Sequence, residues 1–429
     1  MKDFIEFIQN AVSAFHVTET QEQRLTAAGF KKLSETESWQ LEPGCGYYVT
    51  RNGSSLIAFR IPKNADFPGF AIEVSHSDSP ALKLKTDPEM LTDGVYNRLN
   101  IETYGGGVWH TWIDRPLSAA GRITVRTDSG FRTVCVNVDR DLFLIPGLAI
   151  HMDRDINNNL SINAQNDLLP LFGLGEGRII DTVADCAGVK AGDILSAELF
   201  AYPRIKPFVW GQNREFISAP HLDDAACVYC SLEGFLATDE PVSISVHAVL
   251  DNEEVGSSTK QGAASTFLKD VLERISRALS DGDDALQRRL AKSFMLSSDN
   301  AHAFHPNYPS KCDPKLHPHL GDGVVIKHSA NQKYTTDAES EAITLCLCEK
   351  GNVKYQHFHN RSDIPGGSTL GNISANQAAL RTVDIGLPQL AMHSACETMA
   401  CRDVEELTKL SKTLFSSGLS VEGNEITIL

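Results

Sequence analysis

The stretch from Pro241 to Gly256, PVSISVHAVLDNEEVG, is the strongest local constraint on the fold. Val242, Ile244, Val246 and Ala248 recur at every second position, which is the period of a β-strand. The run then stops in Asp251, Asn252, Glu253 and Glu254. Successive side chains leave a strand on opposite sides, so two adjacent glutamates at its end can address different parts of one cavity. One can bind a metal while the other holds a proton. A solvated acidic turn is the plainer reading of the same residues, and only the rest of the chain separates the two.

The flanking sequence reads as α/β. Apolar residues at helical spacing predict a helix over 3–16 and another over 18–29, with Thr18 as N-cap and Gly29 as stop. Gly46–Thr50 and Ser55–Arg60 flank Asn52-Gly53, a hairpin signal, and a strand follows over 70–75. From 88 to 208 the texture changes to short β-like pieces such as GRITVRTD and FRTVCVNVD, which suggests an inserted, mainly β module. Beyond it, helices from Leu222, near 262–278, over 366–380 and over 402–417 alternate with strands at 242–250, 294–299, 324–327, 355–358 and 382–386. The expectation is a mixed, largely parallel sheet flanked by helices, built from residues 1–87 and 209–429 and interrupted by 88–208.

Composition narrows the partners. A formal net charge of -16 argues against nucleic acid and weakly against an anionic membrane. No signal peptide and no apolar run of membrane-spanning length is evident. The ten cysteines include Cys227 and Cys230 in CVYC but no paired CxxC set, so buried thiols in a reducing cytoplasm are expected.

Ligands of such sheets bind at the carboxyl ends of strands. The polar residues that follow apolar strand-like runs are His76 and Asp78, Asp223, the Asp251–Glu254 group, Asp299 with His302 and His305, and His393. Imidazoles and carboxylates without thiolate suit a catalytic zinc, cobalt or manganese site better than a structural one. Asp78, two residues after His76, is placed to orient its imidazole. Each residue alone has an ordinary alternative: Asp223 as a helix N-terminal acid, Asp299 as a turn cap, His76 or His393 as a core or surface histidine.

Nine ordered motifs spread over nearly the whole chain resemble the M18 family of metalloaminopeptidases, of the aspartyl aminopeptidase type. They are VSHSDSPALKLK at 74–85, ETYGGGVWHTWIDRPL at 102–117, IPGLAIHMDRDIN at 145–157, HLDD at 221–224, LDNEEVGSSTKQGA at 250–263, SSDNAHAFHPNY at 297–308, VIKHSANQKY at 325–334, RSDIPGGSTLG at 361–371 and LAMHSACE at 390–397. The resemblance implies two zinc ions, replaceable by cobalt or manganese: His76 and Asp299 on one, Glu254 and His393 on the other, Asp223 bridging. It implies Glu253 as general base, Asp78 supporting His76, and His151 reaching a neighbouring subunit's site to steady the substrate carbonyl. It makes 88–208 a dimerisation domain, with dimers assembling into a dodecamer. His302, Lys327 and Tyr334 match positions around the substrate's first side chain, Lys327 pairing with an acidic one. The implied activity is removal of an N-terminal residue, preferably Asp or Glu, from peptides.

Two positions depart from the family pattern. His221-Leu222-Asp223-Asp224 stands where Arg-Leu-Asp-Asn is usual, and Ser77 stands where threonine is usual. Three rivals are kept: another di-zinc exopeptidase or deacylase on the same sheet, an aminopeptidase preferring neutral residues, and a non-catalytic assembly protein that retained the fold.

Overall fold

The computed structural model describes residues 1–64, 68–279, 282–364 and 366–429. A nine-stranded mixed sheet forms its centre. The strands Phe70–His76, Ile244–Leu250, Phe294–Ser298 and Arg381–Gly386 lie side by side and parallel at its middle. The hairpin Gly46–Arg51 and Ser55–Arg60 extends one side antiparallel. On the other side, Val324–His328 runs antiparallel to Arg381–Gly386 and parallel to Tyr355–His359.

The central strands are buried on both faces, which explains their continuous apolar texture. One face carries the helices Lys2–Asn10, Leu222–Leu236, Ala338–Gly351 and Cys401–Phe415, packed through residues such as Phe4, Leu232, Leu347 and Leu414. The helices Phe267–Ala278 and Leu370–Ala378 cover the other, with Phe267, Leu272 and Leu370 against Ile72 and Val246. Cys227 and Cys230 are buried free thiols in the first of these layers.

A second sheet of seven strands spans Ala81 to Pro203 and carries its own core around Leu99, Ile123 and Leu199. The strand Ile194–Pro203 pairs both with Ala81–Thr92 and with Pro116–Thr127, so six of the strands close into an antiparallel barrel and Gly130–Asn137 adds to Pro116–Thr127. Closure removes the exposed strand edges that an open sheet of this size would present. A third sheet of five short strands includes Phe216–Ala219, Ala301–His302 and Glu397–Ala400.

The first helical segment differs from the sequence expectation. The chain leaves helical geometry at Ala11, whose ψ is 50°, and restarts at Ala14 with Ser13 as N-cap. The Ser13 carbonyl receives the amides of His16 and Val17, which starts the new helix before Thr18; Thr18 is buried inside it. Among the described residues no helix is long and apolar enough to cross a membrane.

Candidate active site

Three of the expected donors leave the carboxyl ends of central strands, and a fourth lies at a helix amino end beside them. His76 ends the strand Phe70–His76, Asp299 follows Phe294–Ser298, Glu254 lies in a short 3-10 turn after Ile244–Leu250, and Asp223 sits at the start of the helix Leu222–Leu236. His393 comes from the loop between Pro388–Leu390 and Glu397–Ala400, at φ 65°. His221 and Asn252 beside the site also have positive φ, at 59° and 64°. Side chains there are strained relative to extended or helical backbone, and such positions gather where geometry is imposed by the surroundings.

The structure brings these side chains together. Nδ1 of His76 lies 3.0 Å from the carbonyl oxygen of Asp78, and Nδ1 of His393 lies 3.0 Å from that of Gly106. A carbonyl can only accept, so both Nδ1 atoms carry the proton and both Nε2 lone pairs face inward. Asp223 lies between them: Oδ1 is 3.4 Å from His76 Nε2 and Oδ2 is 3.6 Å from His393 Nε2. Glu254 Oε1 is 3.2 Å from His393 Nε2. Donor atoms of His76, Asp223, Asp224 and Asp299 all fall within 4.8 Å of one another.

Asp223 Oδ1 and Glu254 Oε1 are buried yet find no hydrogen-bond partner among the described residues. Orphaned buried carboxylate oxygens are costly, and a bound cation satisfies them. Burial and the surrounding carboxylates Asp299, Asp78 and Asp223 push Glu253 up to about 8 despite His76 nearby, and burial raises Glu254 well above the usual range. So many acids in one buried pocket call for positive charge within it. The residues present therefore fit divalent metal ions with nitrogen and oxygen ligands.

Asp78 differs in detail from the sequence expectation. Its carbonyl meets the imidazole of His76, while its carboxylate takes the amides of Glu253 and Glu254 and the hydroxyl of Tyr104. The closer approach of the imidazole is to the carbonyl, with Asp78 Oδ1 at 3.5 Å.

Three further residues complete the scaffold and escaped sequence reasoning. Tyr104 donates to Asp78 at 2.7 Å and accepts from Asn252 at 2.8 Å. Buried Glu397 accepts the amides of Asp223 at 3.0 Å and His393 at 2.6 Å, so one carboxylate fixes the backbone of both residues. Its position four residues after His393 was the available signal. Asp224 accepts the amide of His76 at 3.1 Å, and burial, with Asp299 and Asp223, raises its pKa well above the usual carboxylate range against the pull of His76.

Lys327 is 2% exposed. Its ammonium donates to the carbonyl of Asn300 at 2.8 Å, lies 3.6 Å from Asp299, and sits 5.4 Å from the centre of the Tyr334 ring. Burial opposes its charge, but Asp299 together with Tyr334, Asp384 and Asp223 outweighs burial and holds it above its ordinary range. Buried Tyr334 packs with Phe358, and exposed His302 meets the same Phe358 ring edge-on at 6.3 Å. His302, Lys327 and Tyr334 thus share one neighbourhood. His305 is half-buried beside the exposed Tyr308. His151 is exposed in the segment 147–161 of the barrel module, outside this cluster within its own chain.

Inward imidazoles and buried carboxylates at the carboxyl ends of a largely parallel sheet define the class of metal-dependent hydrolases. The model of the family described as "Aminopeptidase I zinc metalloprotease (M18)" matches residues 7–415. The chain is 42% identical over 410 residues to a probable M18 family aminopeptidase 2 of Clostridium novyi, covering 94% of this chain and 95% of that protein. It is 37% identical over 474 residues to aspartyl aminopeptidase 4 of Saccharomyces cerevisiae, covering 100% of this chain and 96% of that protein. Among solved structures it is similar to a chain of the Ape4–Nbr1 complex, with TM-score 0.93, 35% identity and coverage of 96% and 85%. It is also similar to the S. cerevisiae mApe1 dodecamer, with TM-score 0.85, 27% identity and coverage of 96% and 95%. The chain belongs to the M18 family of zinc metalloproteases, and it is an aminopeptidase.

Proposed function

We propose that the protein is a di-zinc aminopeptidase that removes an N-terminal Asp or Glu from peptides. The observation that carries the two-ion reading is Asp223, which turns one oxygen toward each of two inward imidazoles. His76 and Asp299 would hold one ion, Glu254 and His393 the other, with Asp223 shared. Bound zinc supplies Lewis acidity, polarising a carbonyl and making water more acidic.

The chain's own residues do the rest. Glu253, freed of its excess proton affinity by positive charge in the site, accepts a proton from the attacking water and delivers it to the departing amine. Asp78 holds the Glu253–Glu254 turn through two amides, so the base and the neighbouring ligand keep a fixed relation. Lys327 reads an acidic first side chain as a buried point charge, with Tyr334 and His302 shaping the same pocket. The similarity to the yeast aspartyl aminopeptidase supports this preference.

His151 would act in a neighbouring subunit, donating to the developing oxyanion. Its exposure among Leu148, Ile150 and Met152, themselves exposed, supports a partner-facing role for this part of the 88–208 module, which we assign to dimerisation. One structural relative is a dodecamer, and we extend that assembly to this chain. Free thiols on the ten cysteines support a cytoplasmic location.

The test is a panel of aminoacyl chromogenic substrates run with zinc, cobalt and manganese, on the parent and on Lys327→Ala. Asp and Glu substrates should be preferred by the parent, and blocking the α-amine should abolish turnover. Equal turnover of N-acylated substrates would favour a deacylase instead.

A further inference from the structure

Away from the active site, three side chains from three elements meet at the edge of the central sheet. His328 ends the strand Val324–His328, His357 lies in its parallel neighbour Tyr355–His359, and Glu341 lies in the first turn of the helix Ala338–Gly351. Side chains alternate along a strand, so His328 points to the face opposite Lys327.

Nε2 of His328 is 3.3 Å from Nδ1 of His357 and 3.5 Å from Oε1 of Glu341. Nδ1 of His357 is 3.3 Å from the same Oε1. A tetrahedral zinc ion with bonds of about 2.0–2.1 Å holds its ligand atoms about 3.3–3.4 Å apart. The three atoms therefore outline one face of a coordination tetrahedron. Two imidazole nitrogens and a carboxylate oxygen suit zinc and its first-row neighbours rather than magnesium or calcium. The ring of His359 stacks on His328 at 4.8 Å with an interplanar angle of 3°, which restricts the imidazole's rotation. The side chains of His328, His357 and Glu341 are 17%, 33% and 27% exposed, so solvent can enter and supply a fourth ligand.

The geometry points to a further divalent transition-metal site formed by His328, Glu341 and His357, separate from the Asp223 cluster. An ion held there clamps the two strands to the helix that packs over them. The competing arrangement is a metal-free triad held by shared protons, which binds no additional ion.

The full chain dialysed to equilibrium against zinc, with metal counted by atomic emission, discriminates the two. His357→Gln and Glu341→Gln should each bind one zinc fewer per chain than the parent, with peptidase turnover and far-UV circular dichroism retained. Cobalt-loaded parent should show visible absorption of a tetrahedral centre that the variants lack. Equal zinc content in all three chains overturns the assignment. A second measurement needs no variant: zinc should protect His328 and His357 of the parent from diethyl pyrocarbonate, read by peptide mass spectrometry. Labelling of both at the unprotected rate overturns it equally.

Discussion

The carboxylate of Asp78 accepts the backbone amides of Glu253 and Glu254, at 3.0 and 3.1 Å, one on each oxygen. The turn that carries the proposed base and a proposed metal ligand is therefore fixed from the loop that follows a different strand, Phe70–His76. Asp78→Ala leaves two amides without acceptors, at about 1–3 kcal/mol each where water cannot replace the carboxylate. We expect kcat to fall about 10–100-fold with zinc content largely retained. Steady-state kinetics with metal analysis checks this, and unchanged kcat would remove Asp78 from the positioning scheme.

Glu253→Gln keeps the size of the side chain and removes its basicity. Turnover should fall by about 10²–10⁴ while zinc binding and thermal stability stay near those of the parent. Full turnover in the variant would sink the assignment of Glu253 as general base.

Gly105 has φ +72°, and a Cβ built there meets Cβ of Glu254 at 3.1 Å. Gly105→Ala therefore combines backbone strain of about 1 kcal/mol or more with pressure on a proposed ligand. The expected result is weaker zinc retention in a chelator titration and a lower melting temperature. Zinc retention equal to the parent's would show that Glu254 has room to yield.

Acid sensitivity follows from buried histidines. His247 lies between Ser231 at 2.7 Å and Gln21 at 2.8 Å, and burial lowers its pKa from 6.5 to about 3. Because the folded value lies below the unfolded one, protons favour the unfolded chain. The contribution of His247 is complete above pH 6.5 and is lost as pH falls toward 3. Burial lowers His16 to about 4 in the same sense. Urea midpoints should drop more steeply below pH 6.5 in the parent than in His247→Gln, a comparison in which the shared metal ligands cancel. Parallel pH profiles would contradict this.

Lys327→Ala should lower kcat/KM for Asp and Glu substrates by about 10–100-fold relative to Ala or Leu substrates, the size of a lost charge-assisted contact. Because Lys327 also lies 3.6 Å from Asp299, zinc content must be read alongside. A uniform loss on all substrates would assign Lys327 to the support of Asp299 rather than to selection.

The sheet and the positions of the candidate donors at its strand ends were legible because they rest on local pattern. His76 and Asp299 follow apolar runs, and the position of Glu254 after Val246, Ala248 and Leu250 could be read from period alone. The supports were not. The hold of Glu397 on Asp223 and of the Gly106 carbonyl on His393 joins residues far apart in sequence, and a backbone carbonyl carries no residue-type signal at all. Barrel closure likewise depends on Ile194–Pro203 pairing with two strands about a hundred residues upstream, which spacing does not encode. The break at Ala11 was hidden because apolar residues continue through it at helical spacing.

The carbonyl of Gly106, which orients His393, stands just beyond the strand Tyr96–Tyr104, and that strand belongs to the barrel. Tyr104, which braces Asp78, ends the same strand. The barrel module thus walls the candidate active site as well as offering a candidate surface for assembly. Trimming it away to obtain a minimal peptidase would take the hinge pin of one imidazole with it, and drift in one module must be tolerated by the other.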